Sequence, residues 1–250
     1  MNTMKQTAHR GIRRLLHLVL PPACAGCQAP LAPGPHRICP RCRTLLKPPP
    51  HPRCLRCHAP RGTGLPASRP CPECSDWPAE LTRARTAVLM APPADTLVHA
   101  LKYGGWPELA TFMAGRMTGA LAPAELSAGS LVVPVPTTPS RERERGYNQA
   151  ERLARVVAHA LDRPLVEALT RVDGGGTQVA LHRHQRRANV EGAFRPVEDL
   201  SGRIRSRPVL LVDDVLTTGA TAGAAARALA AMGAEEVTLL TFARALPGDA

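Results

Sequence analysis

Residues 209–221, with the sequence VLLVDDVLTTGAT, combine the residue types that a site for a phosphorylated ligand needs. The apolar run over 209–212 is typical of a buried strand, and two carboxylates, Asp213 and Asp214, follow it. A helix N-terminus presents unpaired N–H groups and the positive end of its dipole, so a turn between strand and helix could cradle a phosphate. The acidic pair could bind two ribose hydroxyls, or a Mg²⁺ that also touches pyrophosphate. The predicted cradle consists of Thr217, Thr218, Gly219, Ala220 and Thr221.

This run resembles the phosphoribosyl-pyrophosphate (PRPP) motif of type I phosphoribosyltransferases, with every key position filled. An ordinary buried strand followed by a solvated Thr-rich turn is the competing interpretation. A P-loop is a poorer fit, because no G-x-x-x-x-G-K-[ST] sequence occurs in the chain. Strands and helices alternate around the run, which predicts an α/β fold with a doubly wound, mainly parallel sheet like that of type I phosphoribosyltransferases.

All eight cysteines fall into four C-x-x-C pairs, namely Cys24/Cys27, Cys39/Cys42, Cys54/Cys57 and Cys71/Cys74. Two residues between thiols let one turn point both sulfurs at one ion, and two such turns complete a tetrahedral zinc site with four thiolate ligands. The spacing therefore predicts one or two structural Zn²⁺ ions in a small N-terminal zinc-ribbon domain. Pairing the first with the second and the third with the fourth is the simpler arrangement, but a crossed arrangement stays open. A disulfide framework is the alternative, and it requires an oxidising compartment.

Positive charge is concentrated in the N-terminal third of the chain. Residues 1–85 hold 14 basic and 3 acidic residues, a net charge of +11, whereas residues 86–250 carry a net charge of +1. Such asymmetry favours a polyanionic partner, most often nucleic acid, although a coding bias towards Arg is an alternative. The basic side chains that we expect to form a phosphate-binding surface are Arg37, Arg41, Arg43, Lys47, Arg53, Arg56, Arg61 and Arg69.

The N-terminus carries basic residues before a short apolar run over 15–20, which imitates an export signal. This run contains a histidine and is shorter than the apolar region of such signals, which spans roughly 7–15 residues. No run approaches the roughly 18 apolar residues of a membrane span. We expect a cytoplasmic protein without a membrane span, built from a short helix within 1–20, a double zinc-ribbon module over 21–80 and a phosphoribosyltransferase-like domain over 86–246.

The remaining pattern predicts alternating elements: a strand over 86–91, helices over 95–103 and 107–121, a strand over 131–135, a helix ending at Leu161, a helix over 222–232 and a strand over 237–242. The Thr- and Arg-rich segment 137–149 is expected to be a polar loop that holds a second anion, with a solvated, ion-paired helix start as the alternative. Residues 171–195, with three consecutive glycines and several basic residues, are predicted to form a mobile loop that closes over the ligand.

The assembled pattern resembles the ComF family of competence-associated proteins over nearly the whole chain. The segments that carry the resemblance are LLHLVLPPACAGC, LKYGG, VPVP, RERGYNQ, TQVAL…RRANVEGAF and VDDVLTTGAT. One departure is Tyr147, where the family more often has Phe. The resemblance implies PRPP binding with Mg²⁺, a role in natural transformation or the use of external DNA, and contact with incoming single-stranded DNA on the cytoplasmic side. Other DNA-uptake proteins are further implied partners.

The resemblance also implies roles for individual residues. Asp213 and Asp214 would hold the ribose and Mg²⁺, and would be the catalytic pair in an active enzyme, while residues 217–221 would hold the 5′-phosphate. The segment expected to approach the pyrophosphate consists of Pro134, Val135, Pro136, Thr137 and Thr138. The family's own site would add Arg145, Asn148, Gln178, Arg187 and Asn189.

Three functions are compatible with this pattern. The chain could be a PRPP-binding DNA-uptake factor, an active phosphoribosyltransferase for a small acceptor, or a regulator that binds PRPP without chemistry. A transferase acting on a purine or pyrimidine usually needs an apolar or aromatic hood over the base. The chain has only seven aromatic residues and no recognisable hood, which favours the first function.

Overall fold

The computed structural model of the chain describes residues 22–32, 34, 37–62, 64, 69–104, 106, 108–172 and 192–246. The expected helix within residues 1–20 lies outside this part. The helices of the described part are α1 (Pro40–Leu45), α2 (Ala94–Tyr103), α3 (Leu109–Thr118), α4 (Pro139–Arg145), α5 (Gln149–Leu161), α6 (Ser201–Ile204) and α7 (Ala220–Ala231). The strands are β1 (Leu81–Leu89), β2 (Leu131–Pro134), β3 (Leu169–Arg171), β4 (Phe194–Pro196), β5 (Pro208–Leu216) and β6 (Glu236–Arg244).

A four-stranded parallel sheet with the order β1-β6-β5-β2 forms the centre of the fold. Strand β5 is central because its apolar run has no polar side chain to solvate until Asp213, and buried parallel strands have this composition. Leu210 pairs with Val132 on one side and with Thr238 on the other. The prediction of a doubly wound, mainly parallel sheet with an N-terminal Cys-rich segment is confirmed.

Helices cover both faces of this sheet. Helices α2, α3 and α5 bury Leu97, Met113 and Leu153 on one face, in a core that also holds Phe242. Helix α7 buries Leu229 and its alanines on the other face. The cysteine-rich segment contributes to both cores, because the first two C-x-x-C pairs pack on the α2 face and the last two on the α7 face.

The cysteine-rich segment also covers the free edge of β1. The Ala84 amide donates to the Arg56 carbonyl (2.7 Å), and the Leu89 amide donates to the Lys47 carbonyl (2.9 Å). The Thr86 amide donates to Nδ1 of His58 (3.2 Å). An uncovered edge strand exposes unpaired amide and carbonyl groups that template aggregation, so this cover lets β1 remain the last strand of the sheet.

Three local predictions need correction. The strand expected over 86–91 spans Leu81–Leu89, because its pairing with β6 runs from Leu81 opposite Val237 to Leu89 opposite Arg244. Strand β5 continues through the acidic pair to Leu216 instead of ending before it, since its pairing with β6 extends that far. The expected loop 137–149 contains helix α4, which Thr138 caps and a proline at the first position starts.

The segment expected to be a mobile basic loop is described only at its ends. Those ends form a two-stranded antiparallel hairpin, β3 with β4, while residues 173–191 lie outside the described residues. Within the described ranges, no helix has the length and apolar character that crossing a membrane requires.

Candidate functional site

The turn between β5 and α7 has the geometry of an anion cradle. Gly219 adopts φ +82°, a left-handed conformation that favours glycine, and α7 begins at the next residue. The Thr218 hydroxyl accepts a bond from the Ala220 amide (3.3 Å), which holds the turn in place. We call residues 217–221 the phosphate loop, since they place a helix N-terminus at the carboxyl end of β5.

The acidic pair lies directly before the phosphate loop. Asp214 is buried, and its Oδ2 lies 2.7 Å from Nζ of Lys102 at the end of α2. Burial, followed by the charge of Asp214, raises the pKa of Asp213 well above its ordinary value. Ionising both carboxylates beside a single lysine is therefore unfavourable in the ligand-free protein, so the pair is suited to a cation or to hydroxyl donors.

The predicted pyrophosphate segment runs beside this pair. Pro134 ends β2, and the amide of Val135 donates to the Val212 carbonyl (2.9 Å), one residue before Asp213. The Asn148 amide group donates to the Val135 carbonyl (3.2 Å), and its Oδ1 accepts from the Ala150 amide as the cap of α5. Asn148 therefore links the predicted pyrophosphate segment to the start of α5.

The RERGYNQ segment is bound to the end of α2. Arg145 donates to the Tyr103 hydroxyl (2.7 Å) and to Oε1 of Gln149 (2.8 Å), and its guanidinium stacks over the Tyr103 ring. The Tyr147 hydroxyl donates to the Leu101 carbonyl. Two adjacent residues at the end of α2 thus make both contacts: Tyr103 binds Arg145, and Lys102 pairs with Asp214. Of the remaining predicted site residues, Gln178, Arg187 and Asn189 lie outside the described residues.

Two basic residues near the acidic pair have no local signal in the sequence. Lys102 stood only in the last turn of a predicted helix, and nothing local pointed to Asp214. Arg171 ends β3, with its guanidinium over the Phe194 ring. Burial and then the charge of Arg141 lower the pKa of Arg171, while the carboxylate of Asp213 opposes both, so Arg171 lies within electrostatic reach of the acidic pair.

The eight cysteines converge in two groups of four. The first cluster is Cys24, Cys27, Cys39 and Cys42, the second is Cys54, Cys57, Cys71 and Cys74, and the sulfurs of each lie within 4.8 Å of one another. The sequential pairing is confirmed, and none of the eight forms a disulfide.

The sulfur spacing within the clusters fits zinc. A tetrahedral Zn²⁺ with Zn–S bonds of about 2.3 Å separates its sulfurs by about 3.8 Å. Cys54 and Cys74 are 3.8 Å apart, and Cys57 and Cys71 are 3.7 Å apart. Burial raises the pKa of Cys57 and of Cys74, whereas the amides of Cys57 and Arg56 overcome burial at Cys54 and lower its pKa to about 7. Such amide–sulfur bonds stabilise the thiolate that zinc requires.

Trp77 connects the second cluster to the phosphate loop. Its amide donates to the Cys74 carbonyl (3.2 Å), and its indole Nε1 donates to the Thr218 carbonyl (3.0 Å). A Cβ at Gly219 would lie 2.3 Å from Nε1 of Trp77, and a Cβ at Gly223 would lie 2.9 Å from Cδ of Pro78. Both glycines are therefore required for the ribbon to pack against the start of α7.

The predicted basic surface divides into exposed and structural members. Arg56 donates to the carbonyls of Cys74, Pro78 and Leu81, so it holds the ribbon together rather than facing a ligand. The exposed cations of the described ribbon are Arg41, Arg43, Lys47 and Arg69.

Comparisons with known proteins agree with both parts of the chain. Residues 15–75 match the family model of a double zinc ribbon domain, and residues 143–248 match that of a phosphoribosyl transferase domain. The DNA utilization protein YhgH of Escherichia coli (strain K12) is 31% identical over 237 residues, which cover 92% of this chain and 100% of that protein. Competence protein F of Haemophilus influenzae is 36% identical over 122 residues, 48% of this chain and 53% of that protein.

A solved hypoxanthine phosphoribosyltransferase from Staphylococcus aureus covers 62% of this chain and 76% of its own, at 14% identity and a TM-score of 0.30. The family assignment therefore depends on the sequence relatives and the family models. With a match along the whole length of the Escherichia coli protein, and with a ribbon and a transferase domain in the same order, this chain belongs to the ComF family of competence-associated proteins.

Proposed function

We propose that this protein binds PRPP with Mg²⁺ and serves the uptake and use of external DNA by handling single-stranded DNA on the cytoplasmic side. The proposal is carried by one observation: the acidic pair lies directly before the phosphate loop, at the carboxyl end of β5. The positive helix end suits the 5′-phosphate, and the carboxylates suit the ribose hydroxyls.

Each part of PRPP has a counterpart in this arrangement. Residues 217–221 would hold the 5′-phosphate, and residues 134–138 would approach the pyrophosphate from the neighbouring strand. Asp213 and Asp214 are the oxygen donors that would hold Mg²⁺, which neutralises pyrophosphate when bound. Arg145 and Asn148, with Gln178, Arg187 and Asn189, complete the proposed ligand set.

The DNA part of the proposal has two supports. Relatives that match this chain are named for DNA utilization and for competence. The N-terminal third carries the net charge of +11, and its described ribbon exposes several cations. Phosphate contacts by such cations release counterions, so single-strand binding should weaken with salt at a slope of about −0.7 per contact.

An active phosphoribosyltransferase is the second candidate. The β3–β4 hairpin packs against α7, the helix that begins at the phosphate loop, and Phe194 and Arg171 of this hairpin could border an acceptor. In that reaction pyrophosphate leaves C1′, a bond to the acceptor forms there, and the acidic pair stabilises the positive charge that develops on the sugar.

A reciprocal titration tests the proposal. PRPP with Mg²⁺ and an oligodeoxythymidylate are each titrated into the zinc-loaded full chain, with and without the other ligand. We expect both to bind, and the DNA affinity to fall with salt. Absence of PRPP binding would refute the site, and absence of DNA binding would refute the DNA role. A phosphoribosylated product formed from a small acceptor without any DNA affinity would establish the second candidate instead.

A further inference from the structure

A cavity of about 590 Å³ lies at the covered edge of β1, between the cysteine-rich segment and helix α3. The ribbon contributes His51, Arg53, Leu55 and His58 to its wall, and the sheet and α3 contribute Arg85, Thr86 and Arg116. None of its lining residues belongs to the acidic pair or the phosphate loop. The cavity is therefore separate from the proposed PRPP site.

Positive charge in this cavity exceeds negative charge. The cavity wall contains the carboxylate of Glu125, which accepts a 2.7 Å hydrogen bond from Nε of Arg85. Within the described part of the chain, Arg53 and Arg116 have no carboxylate partner. Arg53 donates to the His51 ring and lies beside Nε2 of His58, and Arg116 donates to the Leu46 carbonyl (3.2 Å). The wall thus holds the guanidinium groups of Arg53, Arg85 and Arg116 against the single Glu125 carboxylate, whose charge also reaches Arg53.

The contact between Arg53 and His58 lacks an acceptor. Nδ1 of His58 accepts a hydrogen bond from the Thr86 amide, so it carries no proton and the ring proton must be on Nε2. Nη1 of Arg53, which can only donate, lies 2.7 Å from that same Nε2. Both nitrogens are therefore donors that lack an acceptor in this contact, and an anionic oxygen on the cavity side of the pair would accept from both.

We propose that this cavity binds a phosphate group through Arg53, Arg116 and the Nε2–H of His58. Guanidinium groups suit phosphate because their planar donors match its oxygens, and a tetrahedral group can accept from three directions at once. Leu55 lines the same cavity with 84% of its surface exposed, so an apolar sugar or base face has a partner beside the phosphate.

Two sources supply this chemistry, a free nucleotide and the backbone of a nucleic acid strand. The second source rests on the DNA role proposed above, whereas the first does not. Phenylglyoxal, which modifies accessible arginine, distinguishes them in the zinc-loaded full chain when modification of Arg53 and Arg116 is followed by peptide mass mapping. The probes are thymidine monophosphate and an oligodeoxythymidylate, each compared with chloride at equal ionic strength.

If phenylglyoxal modifies Arg53 and Arg116 more slowly in the presence of either probe, the site is supported. Arg203, an exposed residue of α6, is the control that neither probe should protect. Protection by the mononucleotide identifies a nucleotide site, and protection by the oligonucleotide alone identifies a strand site. If neither probe protects Arg53 more than chloride does, the proposal is wrong.

Variants provide the second measurement. Changing Arg53→Gln together with Arg116→Gln should weaken probe binding about tenfold, since hydrogen bonds to charged groups are lost. The matched pair Arg203→Gln and Arg227→Gln removes equal charge elsewhere and should leave binding unchanged. Arg53→Gln also changes contacts inside the ribbon. The single variant Arg116→Gln, at an exposed position of α3, should weaken probe binding without changing the ribbon. Asp213→Asn with Asp214→Asn should leave protection intact, which separates this proposal from the PRPP site.

Discussion

The indole Nε1 of Trp77 donates a 3.0 Å hydrogen bond to the carbonyl of Thr218, and so joins the second zinc-ribbon cluster to the middle of the phosphate loop. The two residues are 141 positions apart in the chain. Trp77 is buried, and Gly219 lies so close to it that no side chain fits between them. The ribbon therefore supports the phosphate loop, which forms part of the proposed PRPP site.

We expect Trp77→Phe to weaken PRPP binding about fivefold, because the loop loses one neutral hydrogen bond of about 1 kcal/mol. Trp106→Phe is the matched control, since it makes the same change beside α2 and Arg37, away from the phosphate loop. Calorimetric titration of both variants with Mg²⁺–PRPP measures the effect. Equal affinities in the two variants would show that the Trp77 bond does not position the loop.

Loss of zinc from the two clusters should affect the site unequally. Cys74→Ser disturbs the cluster whose carbonyl at residue 74 holds Trp77, whereas Cys27→Ser disturbs the cluster packed on the opposite face. We expect Cys74→Ser to lower PRPP affinity about tenfold, the usual size of coupling between linked sites, and Cys27→Ser to lower it much less. Metal analysis confirms that each variant loses zinc from one cluster, and a larger effect of Cys27→Ser would contradict the coupling.

Asp213→Asn should stabilise the ligand-free protein while it weakens PRPP binding. The pKa of Asp213 is raised by burial and by Asp214, so folding favours its protonated form. Its cost to stability is absent below the unfolded pKa, grows as the pH rises through the native pKa, and is complete above it. Urea unfolding at neutral pH should show a higher free energy of unfolding for the variant than for wild type, because the variant has no carboxylate to ionise at this position.

At a pH below the ordinary range of aspartate, the stabilities of wild type and Asp213→Asn should converge. Asp199→Asn, at an exposed turn, is the control and should change little at any pH. A variant that is less stable than wild type at neutral pH would mean that the Asp213 carboxylate stabilises the ligand-free fold, contrary to this prediction.

The parts of the site that were predictable have local signals. A buried apolar run, an acidic pair, a Thr/Gly turn and an Ala-rich helix follow one another between residues 209 and 232, and local order alone indicates their geometry. The four C-x-x-C pairs are equally local in the sequence. In the structure the first pair groups with the second, and the third with the fourth. Domain boundaries at residues 80 and 86 stay a prediction.

The parts that were missed depend on contacts between distant residues. Lys102 reaches Asp214 only after α2 packs on the sheet, and Trp77 reaches Thr218 only after the ribbon folds over α7. Helix α4 is polar on all sides and buries no residue, so its sequence has no apolar periodicity and indicates a loop. The start of strand β1 at Leu81 depends on pairing with β6, which is distant in the sequence.

The central claim is that the acidic pair and the phosphate loop bind PRPP with Mg²⁺. Its most direct test is calorimetric titration of zinc-loaded wild type, the variant with Asp213→Asn and Asp214→Asn, and a control with Glu198→Gln and Asp199→Asn, which removes two exposed carboxylates. We predict saturable binding by wild type and control, and an affinity at least about a hundredfold lower in the acidic-pair variant, since both charged contacts are lost. Equal PRPP affinity in all three proteins would contradict the account.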